Sequence, residues 1–167
     1  MRILALSAPL LAAGALLLSA GAALAAPASV SVSVDAKLQK TFDKTYGVRE
    51  AQVLTSDLQS TVEKALAKSG AYDGARIELT LTDVKPNRPT FKQMGDTPGL
   101  SMLSFGIGGA TIEGRIVAAD GATTPITYRW YETDIRESYA HWVWTDAELA
   151  FDRFARKLGK GDEFAQR

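Results

Sequence analysis

The sequence predicts an α+β fold: a single-layer mixed sheet of about four strands, ordered β-α-β-β-β-α along the chain, with two helices packed on one face. Three observations point there. Apolar and polar residues alternate strictly in four short stretches, around 29–35, 77–82, 110–118 and 126–132. Two longer stretches carry apolar residues at helical spacing along one stripe. One of these lies between the first two strands, as a right-handed crossover between parallel strands requires, and the last two strands are close enough to form a hairpin.

The chain begins with a segment outside that fold. Arg2 precedes an uncharged Ala/Leu-rich stretch that closes on Ala23-Leu24-Ala25, ahead of Ala26-Pro27. A charged start, an apolar middle and a small-x-small exit mark a secretory signal peptide. The expected organisation is a signal peptide over 1–25, cleavage between Ala25 and Ala26, and one α+β domain over 26–167. The expected location is the periplasm, the alternatives being secretion or retention by an uncleaved N-terminal segment. Pro9 and the glycine and alanine content argue against a permanent span, and no second stretch nears the roughly 20 apolar residues one needs.

Ser29-Val30-Ser31-Val32-Ser33-Val34 places its valines on one face and its serines on the other, which is a half-buried strand. Phe42 and Tyr46 are anchors in the mixed segment that comes next, and Gly47 breaks it. Ser56-Asp57-Leu58-Gln59 fits a capping box, with Leu54, Leu58, Val62, Ala65 and Leu66 as the buried stripe and Gly70 as the stop; the helix either starts there or a turn or more earlier, near Arg49. Ile77, Leu79 and Leu81 alternate with Glu78, Thr80 and Thr82 in a second strand, ended by Pro86 and Pro89. A long loop then runs to about Ser104, and a connection of that length is uncommon in a compact domain.

The glycine-rich stretch Phe105-Gly106-Ile107-Gly108-Gly109-Ala110 invites comparison with phosphate-binding loops. The sixth position from Gly106 is Thr111, no Lys-Ser/Thr pair comes after it, and the next residues alternate as a strand rather than opening a helix. The glycines therefore lead the chain into a strand over 110–118, and Gly114 marks a bulge or a close backbone approach. Asp120-Gly121 turns the chain into the strand 126–132. Thr145-Asp146-Ala147-Glu148 reads as a second capping box, opening a helix whose stripe is Ala147, Phe151, Phe154 and Leu158 and whose stop is Gly159.

This succession resembles small exported bacterial envelope proteins with an α/β fold like the N-terminal domain of TolB: a signal peptide, a strand and helix, a strand ending in a Pro-containing loop, the Gly-rich lead 105–110 into the strand Thr111–Ala118, and the turn Ala119-Asp120-Gly121. Many such proteins are lipoproteins of unknown function, and the resemblance implies action by assembly with other envelope proteins. This chain departs from them in lacking a cysteine to accept lipid.

Several chemistries are excluded by composition. With zero cysteines there is no disulfide, thiolate nucleophile, cysteine-ligated zinc or iron–sulfur cluster. The 19 basic and 19 acidic residues balance, and no basic stripe suggests nucleic acid. No cofactor and no metal site is expected, because His141 is the sole histidine. No G-x-S-x-G elbow accompanies His141, which reads as a packed or surface residue. Glu132 and Asp134 share a strand face, the spacing of a carboxylate pair, but Arg129 and Arg136 stand by to neutralise them.

The remaining features are adhesive. All three tryptophans fall within 130–144, and Trp142 and Trp144 would project from one face of an extended segment, to stack on a ligand or to pack inside. The loop residues Leu100, Met102, Leu103 and Phe105 are apolar for a connection. The expected binding residues are thus Leu100, Met102, Leu103, Phe105, Trp142 and Trp144. The expected function is a non-enzymatic envelope protein that binds another protein or an assembly, self-association included. A carbohydrate- or small-ligand-binding module is the alternative, and a hydrolase using Glu132, Asp134 or His141 comes third.

Overall fold

In the computed structural model, residues 26–161 are described. The segment read as a signal peptide, 1–25, lies outside them, as does 162–167. The valines of the Ser-Val repeat form β1 (Ser29–Val34), which pairs in parallel with β2 (Arg76–Lys85). Between them run α1 (Ala36–Thr41), a π-helical turn (Phe42–Tyr46) and the long α2 (Val48–Ser69). β3 (Gly109–Val117) is antiparallel to β2, and β4 (Thr123–Tyr131) is antiparallel to β3, giving the sheet order β1-β2-β3-β4. A short α3 (Phe91–Asp96) sits in the β2–β3 connection, and a 3₁₀ turn (Glu137–Ala140) precedes α4 (Thr145–Gly159). The fold is α+β with a single mixed sheet, and α2 and α4 pack together over one face of it. Among the described residues no helix is long and apolar enough to cross a membrane.

The alternation read from the sequence decides which face the helices cover. Ile77, Leu79, Leu81, Ala110, Ile112, Ile116 and Ile126 point into the core, where they meet Leu58, Val62 and Leu66 of α2 and Phe151, Phe154 and Leu158 of α4. The intervening serines, threonines and charged residues form the uncovered face, with the Arg115–Glu78 pair across it at 2.6 Å. Fully burying one such Leu, Ile or Phe side chain contributes about 1.5–3 kcal/mol, so this cluster supplies the main driving force.

Two local expectations need correction, and two open alternatives are decided. The earlier of the two expected starts, near Arg49, holds and Ser56 does not cap a helix: α2 begins eight residues before it, at Val48 after Gly47, whose φ of 109° suits glycine. Its buried stripe starts at Ala51 and Leu54, and that packing carries the helix through Ser56. Thr145 does not cap α4 either, since its hydroxyl instead accepts from the Trp142 amide at 2.9 Å. The long loop is interrupted by α3, which has the one true capping box among the described helices: Thr90 and Gln93 each accept from the other's backbone amide. The sheet irregularity falls between Leu81 and Asp83, not at Gly114. Gly114 is a close approach, because a Cβ there would stand 2.1 Å from the Glu78 carbonyl oxygen.

Candidate functional site

At the end of the sheet where β2 stops and β3 starts, two irregular segments meet, 86–108 and 132–144. They are tied by a buried polar knot centred on Asp146, in the first turn of α4. Pro86 ends β2, and the next residue, Asn87, turns inward: its amide donates to the Val143 carbonyl at 2.8 Å and its carbonyl accepts from the Gly106 amide at 2.8 Å. The Asn87 carboxamide donates to Asp146 Oδ2 at 2.5 Å and to the Gly106 carbonyl at 3.1 Å, while its oxygen accepts from the Asp146 amide at 2.8 Å. Asp146 Oδ2 also accepts from the Gly108 amide at 2.7 Å, and Asp146 Oδ1 lies 2.7 Å from His141 Nδ1. Asp146 is 0 % exposed, so these partners replace the water that a buried carboxylate would otherwise lack.

The glycine cluster finds its purpose here. A Cβ on Gly108 would lie 2.6 Å from the Lys85 carbonyl and 3.0 Å from Asn87 Oδ1. Only glycine brings that amide to the carboxylate. The stretch does present a backbone donor to an anion, but the anion is the protein's own Asp146, and the chain continues into β3 rather than a helix.

Arg88 makes a second tie. Its guanidinium donates to three backbone carbonyls: His141 at 2.6 Å, Tyr139 at 2.5 Å, and Met102. It also lies 5.8 Å from the centre of the Phe105 ring, which packs edge-on against Tyr139. One side chain thus holds the 100–105 loop and the 137–142 segment together.

These ties hold an apolar surface outward. Phe91, Leu103, Tyr139 and Trp142 are 84 %, 85 %, 71 % and 69 % exposed. Phe105 is also exposed, and Leu100 and Met102 are half-buried. A cleft of about 190 Å³ opens between Phe91, Met94, Met102 and Trp142, and a second of about 290 Å³ between Arg88, Gln93, Leu100 and Phe105. The two tryptophans do not share a side: Trp142 stands out, whereas Trp144 is 6 % exposed. Trp144 Nε1 donates to Glu50 Oε2 at 2.6 Å, and its ring packs edge-on against Tyr46 at 5.6 Å. The structure brings Leu100, Met102, Leu103, Phe105 and Trp142 to one end of the molecule, and buried Trp144 lines the cleft beside Met102 and Trp142. Sequence reasoning missed Phe91 and Met94, which only α3 carries to this end, and Asn87, Arg88 and Asp146, which organise it.

The groups weighed for catalysis are engaged locally. Glu132 Oε1 accepts from the amides of Thr133 and Asp134, at 2.7 and 3.0 Å. Asp134 is held by Arg136 at 2.5 Å, and that hydrogen bond keeps its carboxyl below the ordinary range. His141 is oriented by Asp146, and its Nε2 has no protein partner among the described residues. No group of three or more His, Asp or Glu side chains among the described residues could hold a metal ion. Compared with known proteins, the chain matches no family model, and no curated protein matches it.

Proposed function

We propose that this is an exported, periplasmic protein of the cell envelope that acts without catalysis, by docking another protein onto the apolar end formed by Phe91, Leu103, Phe105, Tyr139 and Trp142. The observation that carries the reading is that several large apolar side chains are exposed together on the connections 86–108 and 132–144, which Arg88 and Asp146 clamp from behind. Such a patch marks an interaction site rather than an ordinary surface. The clamp holds the loops in place before binding, which lowers the ordering entropy that association costs. Met94 and Met102 beside the cleft suit an apolar partner surface, since their side chains adapt to its shape.

The carbohydrate reading gains support from exposed Trp142 but loses it at the cleft. A sugar site places polar groups beside a stacking ring, and here the polar lining is Thr90 and Glu50, both already bonded within the protein. Export is supported by the leader pattern and by the surroundings of Ala26. The Ala26 nitrogen lies 3.2 Å from Asp73 Oδ1, so cleavage after Ala25 would leave the new ammonium group beside a carboxylate. Sequencing the N-terminus of the protein from the periplasmic fraction tests that placement.

The docking reading is tested by replacing Leu103 or Trp142 with a photo-crosslinking residue in living cells and identifying the adducts. One repeatable envelope partner, lost with Trp142→Ala or Leu103→Asp, is expected. Adducts that vary at random, or that persist in both variants, refute the reading.

A further inference from the structure

We infer that the free edge of β1 pairs with the β1 of a second copy about a two-fold axis, joining two four-stranded sheets into one. Both outer strands of the sheet have an unpaired edge, but they are protected differently. β4 carries Pro125 and Arg129, a proline and a charge of the kind that keeps edges from pairing. β1 is Ser-Val-Ser-Val-Ser-Val, with neither charge nor proline nor bulge.

The repeat is self-complementary. In an antiparallel pair centred on Val32, Val30 lies opposite Val34 of the second copy and Ser31 opposite its Ser33, so each face meets its own kind. The surface beside the edge fits as well. A groove between β1 and α2 runs along the strand. At one end it is lined by Val32, Val34, exposed Val48 and Arg49, with a volume of about 620 Å³. At the other it is lined by Pro27, Val30, Ala67 and Glu63, with about 260 Å³. Arg49 is the charged residue at the first end and Glu63 at the second. Arg49 has no partner among the described residues, and Glu63 accepts only from Gln59. Two-fold symmetry sets the Arg49 end of each α2 against the Glu63 end of the other, so two opposite-charge pairs form at once. The Arg49 end of this surface adjoins the apolar end described above, since Glu50 lines the cleft between Phe91 and Trp142, but the pairing runs along β1 and does not depend on the function of that end.

Sedimentation equilibrium of the purified protein at micromolar concentrations tests the pairing. The wild type is expected at twice the monomer mass. Arg49→Glu and Glu63→Arg each turn two attractive pairs into two repulsive ones and are expected to weaken association about tenfold. The double variant Arg49→Glu/Glu63→Arg restores it. Both residues are exposed, so the variants keep the wild-type circular dichroism. In a chain free of native cysteine, Val32→Cys is expected to give a disulfide-linked dimer on oxidation, since paired Cα atoms about 4.5–5.5 Å apart lie within bridging reach. Val53→Cys, on the outer side of α2, is expected to stay monomeric. A monomer throughout the concentration range, a dimer indifferent to charge reversal, or equal cross-linking at 32 and 53 overturns the inference.

Discussion

Replacing Asp146 by alanine removes the acceptor on which three donors converge. The Gly108 amide and one N–H of the Asn87 carboxamide are left buried without a partner; the other Asn87 N–H keeps the Gly106 carbonyl. Each buried donor orphaned in this way costs about 1–3 kcal/mol. His141 is partly exposed and can turn its ring to water, so it adds little. The sum centres on about 4 kcal/mol, within the range of about 3–5 kcal/mol seen when one partner of a buried charged group is removed. At roughly 2–4 °C per kcal/mol for a chain of this size, the melting temperature is expected to fall by roughly 8–16 °C. Asp146→Asn separates hydrogen bonding from mere occupancy. The amide oxygen can keep Gly108 and Asn87 while its NH₂ faces His141 Nδ1, which accepts in its other tautomer. Its expected cost is about 1 kcal/mol. Urea and thermal unfolding followed by circular dichroism and tryptophan fluorescence give both numbers. An alanine variant within about 1 kcal/mol of wild type, or an asparagine variant as damaged as alanine, refutes the role assigned to the knot.

Three further outcomes are expected. Gly114→Ala drives its Cβ into the Glu78 carbonyl at 2.1 Å and is expected to cost at least about 2 kcal/mol in urea, whereas Gly106→Ala, with open space around it and no positive φ, costs less. Burial, and the hydrogen bond to Asp83, push the Tyr131 hydroxyl up to about 12. Because its folded value exceeds the ordinary value of about 10, its contribution to stability is complete below about pH 10 and is lost as pH rises towards 12. Ultraviolet titration of tyrosinate is expected to show this late group, and Asp83→Asn to shift it down. Burial first, and then the Asp152 carboxylate, raise Asp57, and Glu148 is raised by burial and by both neighbours. Groups raised in this way favour the fold below the ordinary carboxylate range and lose that contribution as pH climbs through their raised values. The wild type is therefore expected to gain stability on mild acidification from neutral pH. Asp57→Asn is expected to raise the melting temperature by about 1–2 °C at neutral pH and to flatten that dependence in calorimetry.

Sequence alone determined the sheet and its covered face. The Ser-Val repeat, the alternation at 77–82 and 110–118 and the apolar stripes of the two long helices are periodic properties of short stretches of chain, and the structure agrees with each of them. The glycine-rich stretch was legible in the same way, since residues 110–118 beyond it have the period of a strand. Helix starts were less so. Ser56 and Thr145 have the right neighbours for caps, but burial of Ala51 and Leu54 carries α2 through Ser56, and the α4 entry uses Thr145 to hold Trp142 instead. Only the tertiary structure decided the candidate site. Asn87 and Asp146 are 59 residues apart, and no local spacing foretells that one completes the other. Trp142 and Trp144 look equivalent in sequence, but one meets water and the other Glu50, 94 residues away along the chain. A periodic pattern tells which side of an element turns away from water. Which polar group answers a buried charge depends on segments that meet only once the sheet has formed.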